Sequence, residues 1–176
     1  FVAFNSPSET RIAKDLHAVK GCVTLPDNND DVFLISGEFY FTPNRFNSLK
    51  NPKKETYAEF PSTIYDSPLK SKFGYASYGL HIEGLNPQLR YALRVGHALG
   101  SCSVIIDGKE VARQGDIGRN YEEEIPGTKS SEVVFRPHKN GTIDVVFNVS
   151  NFSYRKGGIF SDLMLGDINK MEKIFR

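Results

Sequence analysis

Apolar side chains fall on every second position along much of the chain. Ile143, Val145, Phe147 and Val149 alternate with Asp144, Val146, Asn148 and Ser150, the period of a strand that buries one face. Ala76, Tyr78, Leu80 and Ile82 alternate with Ser77, Gly79 and His81, and Tyr91, Leu93 and Val95 with Ala92, Arg94 and Gly96. Cys102, Val104 and Ile106 run into Asp107–Gly108 and then Lys109–Glu110–Val111–Ala112. Asp-Gly between two extended runs predicts a hairpin, because both residues tolerate the positive φ of a type I′ turn. Further strands are expected over 21–25, 32–41, 56–60, 131–137 and 161–165. Pro26–Asp27–Asn28, Pro43–Asn44, Asn86–Pro87, Pro126–Gly127 and Asn140–Gly141 supply turns between them. Many short strands at this pitch indicate an all-β sandwich or barrel.

Helical periodicity is poor. Residues 10–18 and 168–175 each suit a short peripheral helix, the second with Ile168, Met171, Ile174 and Phe175 on one side. No long helices alternate with the strands, which argues against a parallel α/β fold. The 176 residues fit one domain, expected to span 1–176 with its sandwich core at about 21–167. There is no internal repeat, and 43–56 is the longest expected loop. No apolar run is long enough for a membrane span. The chain lacks a signal-peptide pattern, and its abrupt start at Phe1 reads as a trimmed or processed end.

Charge names no partner. The net charge is +1, with 22 basic and 21 acidic residues intermixed, whereas nucleic-acid binders carry a basic excess or stripe. Lys50–Asn51–Pro52–Lys53–Lys54 reads as a solvated turn. Cys22 and Cys102 match neither a zinc knuckle nor a CxxC pair. They form a disulfide only if the fold brings their Cα atoms within about 7 Å. Cys102 shares the parity of Val104 and Ile106, which suits a buried free thiol.

A catalytic reading finds little to hold. His17, His81, His97 and His138 are scattered, without HxH or HExxH spacing. Glu122–Glu123–Glu124 reads as a solvated edge, since consecutive strand residues cannot all face one site. No GxSxG occurs, and Lys156–Gly157–Gly158 lacks the spacing of a phosphate loop. Asn140–Gly141–Thr142, Asn148–Val149–Ser150 and Asn151–Phe152–Ser153 match the N-glycosylation triplet, a pattern short enough to arise by chance. No catalytic residue, metal site, cofactor or nucleic-acid partner is expected.

Two stretches carry a family likeness. One runs from Gly74–Tyr75–Ala76–Ser77–Tyr78–Gly79–Leu80–His81–Ile82 through Tyr91–Ala92–Leu93–Arg94–Val95 to Ser103–Val104–Ile105–Ile106–Asp107–Gly108–Lys109–Glu110–Val111–Ala112. The other is Asn148–Val149–Ser150–Asn151–Phe152–Ser153–Tyr154–Arg155–Lys156–Gly157–Gly158–Ile159–Phe160, ending in Leu163–Met164–Leu165–Gly166. Together, over roughly 30–168, they resemble the extracellular sensor domain of bacterial seven-transmembrane receptors with diverse intracellular signalling modules. That domain is a galactose-binding-type jelly roll, similar also to the non-catalytic sandwich domain of β-galactosidases. The resemblance implies an antiparallel β-sandwich in the periplasm or outside the cell, tethered to the inner membrane in the full-length protein and followed by seven membrane helices and a cytoplasmic output module.

Loops held by a rigid scaffold commonly carry binding groups, so the stretch from Asn151 to Gly158, which leaves a strand and enters a glycine-rich turn, is the first place to look. There Arg155 can fork onto a carboxylate or hydroxyls, and Tyr154 can stack on an apolar ligand face. The alternative is that Asn151 and Arg155 tie down a chain corner. Arg94 points away from the core side of its strand and His97 lies near its end. On a concave outer face both would join Asn148 and Val146, unless this is an ordinary exposed polar face. The candidate ligand-binding set is therefore Arg94, His97, Asn148, Asn151, Tyr154 and Arg155. The expected partners are a small molecule, a carbohydrate or a carboxylate, and the membrane region of the same protein, with a homodimer compatible. A carbohydrate-binding accessory module of a secreted hydrolase and a protein-interaction or dimerisation domain are the alternatives.

Overall fold

The computed structural model describes residues 13–27, 31–50, 55–127 and 129–175. In chain order its strands are β1 (Ala13–Ala18), β2 (Cys22–Thr24), β3 (Val32–Pro43), β4 (Tyr57–Phe60), β5 (Ser62–Thr63), β6 (Gly74–Glu83), β7 (Tyr91–Val95) and β8 (Ala98–Leu99). There follow β9 (Ser101–Ile106), β10 (Lys109–Asp116), β11 (Ile125–Pro126), β12 (Ser131–Phe135), β13 (Ile143–Asn151), β14 (Gly158–Ile159), β15 (Leu163–Asp167) and one helix, α1 (Ile168–Phe175). The architecture is an antiparallel β-sandwich of the jelly-roll kind, as the alternating pattern and the resemblance predict.

The two layers belong to one curled hydrogen-bonded sheet, ordered β11-β10-β9-β13-β6-β3-β15-β7-β12. The long strand β3 passes from one layer to the other. Its first half pairs with β15 through Phe33, Leu34 and Ile35, and its second half pairs with β6 from Tyr40 to Pro43. Gly37 lies at the change, with φ of 118°. A Cβ there would collide with the backbone of Ala18 on the adjacent β1, so glycine lets the two strands close up at the corner.

Side chains of both layers meet in one core. Phe39 stacks on Phe60 at 4.4 Å, and Phe60 lies 5.5 Å from both Phe147 and Tyr78. Each such fully buried ring contributes about 1.5–3 kcal/mol through removal from water. The Asp107–Gly108 hairpin forms as expected, with φ of 52° and 77°, and β10 carries a bulge between Glu110 and Ala112.

The two helix expectations part company. Residues 168–175 form α1, started by Asp167, whose Oδ1 accepts from Asn169 N at 2.9 Å and Lys170 N at 3.4 Å. Met171 packs on Met164, Ala92, Val32 and Ala13 and covers the outer face of the β15–β7 layer. Residues 13–18, expected to be helical, are instead β1, parallel to β3 from Val32 to Gly37, while 10–12 lie outside the described residues. The unpaired edge of β3 supplies backbone partners there, which outweighs a weak local helix preference. The cysteines are both free, Cys22 exposed and Cys102 buried. Cys22 pairs with the His81 end of β6, whereas Cys102 sits beside Val149, which pairs with Ala76.

Candidate functional site

β13 ends where β6 and β9 begin, at the Asn151–Gly74 and Ser150–Ser101 pairs. At this end a small sheet, β5-β14-β8, forms from segments far apart in sequence. β14 pairs with β5 through Gly158–Thr63 and Ile159–Ser62, and Ile64 N donates to Gly157 O at 2.8 Å. Two loops are thereby laid side by side, 64–73 after β5 and 152–157 before β14. Between them opens a cleft of about 540 Å³ lined by Tyr65, Lys72, Arg155 and Lys156. That volume falls within the range of roughly 300–1,000 Å³ usual for small-molecule sites.

Each wall is held from below. Ile64 is fully buried, and Ser67 Oγ donates to Ile64 O at 2.6 Å while accepting from Leu69 N at 3.2 Å. Asn151, also fully buried, ties the two walls together. Its Nδ2 donates to Lys72 O at 2.9 Å and to Tyr154 O at 2.7 Å. Its Oδ1 accepts from Tyr154 N at 3.0 Å and Ser153 N at 3.4 Å. Gly157 passes so close that a Cβ would overlap the Asn151 amide. The corner-anchor role therefore belongs to Asn151, while Arg155 extends exposed into the cleft.

The acidic run is only partly a solvated edge. Glu122 and Glu123 are exposed, but Glu124 is buried. Its carboxylate accepts from Phe152 N at 2.9 Å, from Ser153 Oγ at 3.2 Å and from Ser150 Oγ. The turn at 120–124 makes this possible: Asn120 Oδ1 accepts from Glu123 N at 2.9 Å, so three successive glutamates do not alternate as strand residues would. Glu124 thus braces the start of the 152–157 loop.

The remaining candidates lie elsewhere. Arg94 is on β7 in the other layer, where its Nη1 is 3.5 Å from Glu132 Oε2 and its strand neighbours are Glu132 and Met164. His97 Nε2 is 3.2 Å from Gly127 O. Asn148 is on the outer face of the β13–β6 layer but buried, because the loop after β3 lies over it. Asn47 N donates to its Oδ1 and its own Nδ2 donates to Asn47 Oδ1, each at 2.7 Å. Arg94 and Asn148 therefore do not share a face. Tyr154, 37% exposed, stays with Arg155 in the glycine-rich turn.

Three residues of the cleft escaped the sequence reading: Tyr65, Lys72 and Lys156. A signal existed in the aromatic and basic alternation of Tyr65, Lys70, Lys72 and Phe73, but the β5–β14 pairing that brings it to Arg155 has no local trace. The cleft concentrates three positive charges, and none of the three has a carboxylate partner among the described residues. Unpaired cations around a concavity attract an anion, and a guanidinium adds the flat fork that matches a carboxylate. Among the described residues the cleft lining contains no carboxylate, histidine or thiol, and its charges suit an anionic ligand. Among the described residues no cluster of three or more histidine, cysteine, aspartate or glutamate side chains is arranged to hold a metal ion.

No protein-family model matches the chain, and no curated protein matches it in sequence. Solved structures do resemble it. A Bacteroides uniformis β-glucuronidase matches with a TM-score of 0.56 at 17% identity over 78% of this chain and 18% of its own. A Ruminococcus gnavus β-glucuronidase gives 0.55 at 13% identity over 81% and 29%. A GH2 β-galacturonidase from Eisenbergiella tayi gives 0.52 at 17% identity over 74% and 23%. This chain thus spans less than a third of each of these proteins, and the likeness is one of fold alone, a β-sandwich.

Proposed function

We propose that this domain binds a small carboxylated ligand, with a uronic acid sugar as the first candidate, and does not transform it. The observation that carries this reading is the cleft walled by Tyr65, Lys72, Arg155 and Lys156. Arg155 takes the carboxylate in a two-pronged contact, the lysines add charge, and the Tyr65 ring offers a face for the apolar side of a sugar. Solved structures of similar fold include β-glucuronidases and a β-galacturonidase, some with D-glucuronic acid or galacturonate bound. That chemistry agrees with the charge of the cleft and selects the first ligands to try.

In the full-length protein we place the domain outside the inner membrane, as the sensor of a receptor whose membrane region it contacts. This rests on the sequence likeness over 74–112 and 148–166. A second reading, an accessory module of a secreted hydrolase, draws on the GH2 enzymes among the structural neighbours. The residues encoded after Arg176 separate the two: seven apolar spans for the sensor, a catalytic barrel for the module.

Binding is tested by thermal shift with glucuronate and galacturonate beside glucose and galactose. At ligand 100-fold above its dissociation constant the domain gains about 2.7 kcal/mol, a rise of roughly 5–11 °C for a chain of this size. The shift should appear with the uronates and vanish in Arg155→Ala. A response to neither sugar class, or turnover of a chromogenic glycoside by the domain alone, overturns the proposal.

A further inference from the structure

The ligand cleft holds more positive charge than one acidic sugar can match. A single uronate carries one carboxylate, whereas Lys72, Arg155 and Lys156 bring three cations to a concavity of about 540 Å³. All three residues are exposed. With one carboxylate in the Arg155 fork, two ammonium groups remain without a counter-charge among the described residues. The walls do not supply it. Residues 152–157 include no acid, and the one acid of residues 64–73 is Asp66, whose Oδ2 accepts from Thr63 Oγ1 at 3.1 Å.

Apolar faces alternate with these charges. Asn151 Nδ2 donates both to Lys72 O and to Tyr154 O, which sets the two walls side by side. Phe73 follows Lys72, Tyr154 precedes Arg155, and Tyr65 lines the cleft itself; all three aromatic residues are exposed. A single exposed aromatic residue needs no explanation, but three in two adjoining loops mark a contact surface. A linear acidic polysaccharide repeats the same two features, since each ring offers an apolar face and a carboxylate.

We propose that the cleft takes consecutive uronic acid units of a linear acidic polysaccharide, with one carboxylate for each of its three cations. The ligand is thus the uronate of the reading above, on which this depends, extended from a free sugar to a chain. Arg155 grips one unit in its two-pronged contact, while Lys72 and Lys156 hold the carboxylates of its neighbours. The rings of Tyr65, Phe73 and Tyr154 cover the apolar faces in between. A nucleic acid fits less well. Its phosphates call for a basic stripe, and the chain's net charge is only +1, from intermixed acids and bases.

The test is calorimetric titration of the folded 176-residue chain with D-galacturonate and D-glucuronate, each as the monomer and as its linear trimer. Each added exposed ion pair strengthens binding a few-fold, so a trimer should bind about ten-fold more tightly than its monomer. High salt should shrink that advantage. Arg155→Ala should lose both ligands, and Lys72→Met and Lys156→Met should each bring the trimer's affinity towards that of the monomer. Lys109 stands in the hairpin after β9, at the end away from the Ser101–Ser150 pair. Lys109→Met removes the same charge there and should change neither ligand's affinity. Equal affinity of monomer and trimer overturns the chain-binding proposal and leaves the uronate reading standing. Silence of all four compounds brings down both. A neutral trisaccharide, or single-stranded DNA of equal charge, binding as tightly as the trimer also overturns it.

Discussion

Asn151→Ala probes the joint on which the ligand cleft depends. The substitution deletes one amide that makes four hydrogen bonds, two to carbonyls (Lys72 and Tyr154) and two from backbone N–H groups (Ser153 and Tyr154). Each such bond contributes a net of about 1 kcal/mol, and partners left unsatisfied cost more. The longest of the four, at 3.4 Å, is worth least. The loss should be about 3 kcal/mol, or a fall in melting temperature of roughly 6–12 °C for a domain of this length. Circular dichroism melts measure it directly. The same variant should lose the uronate-induced shift, because the Lys72 wall is no longer tied to the Tyr154 wall. Arg155→Ala should lose that shift with the unliganded melting temperature within about 2 °C of wild type, since exposed side chains contribute little to stability. A fall below 2 °C in Asn151→Ala, or one in Arg155→Ala as large as that expected for Asn151→Ala, would refute the division of labour between anchor and ligand contact.

Other perturbations follow from the same geometry. Gly157→Ala places a methyl group on the Asn151 amide and should cost about 1–3 kcal/mol, seen as an earlier denaturant midpoint at unchanged slope. Glu124→Ala removes the acceptor of Phe152 N, Ser150 Oγ and Ser153 Oγ; a loss of about 2 kcal/mol or more is expected, with faster amide exchange in 150–153. Asp162 has its pKa raised by burial and then by the Asp15 carboxylate, so the folded chain holds a proton that the unfolded chain releases. Its contribution is full below the ordinary aspartate value of about 3.9 and is lost as pH rises through the folded value; Asp162→Asn should therefore raise the melting temperature at pH 7 and leave it nearly unchanged at pH 3.

Much of this architecture was legible in local pattern. The alternation of Ile143, Val145, Phe147 and Val149 announced β13, and Asp107–Gly108 announced the hairpin, because strand period and turn chemistry are properties of neighbouring residues. The reading of 10–18 as a helix failed at 13–18 because the deciding partner, the free edge of β3, is a later segment of the chain. Glu124 was misjudged for a related reason: a tight turn broke the strand alternation and buried one glutamate of three.

The candidate site divides along the same line. By itself the amino-acid order determined that an asparagine, a tyrosine and an arginine leave a strand in a glycine-rich turn, and these residues do stand at the cleft. Only tertiary structure decided that Asn151 is structural and Arg155 free, that Arg94 and Asn148 occupy different layers, and that Tyr65 and Lys72 face Arg155 and Lys156. Pairing of β5 with β14 joins positions nearly a hundred residues apart, and hydrogen bonds between such distant strands exist only in the folded sheet. The charge of the cleft is thus a product of strand pairing, which no window of sequence contains.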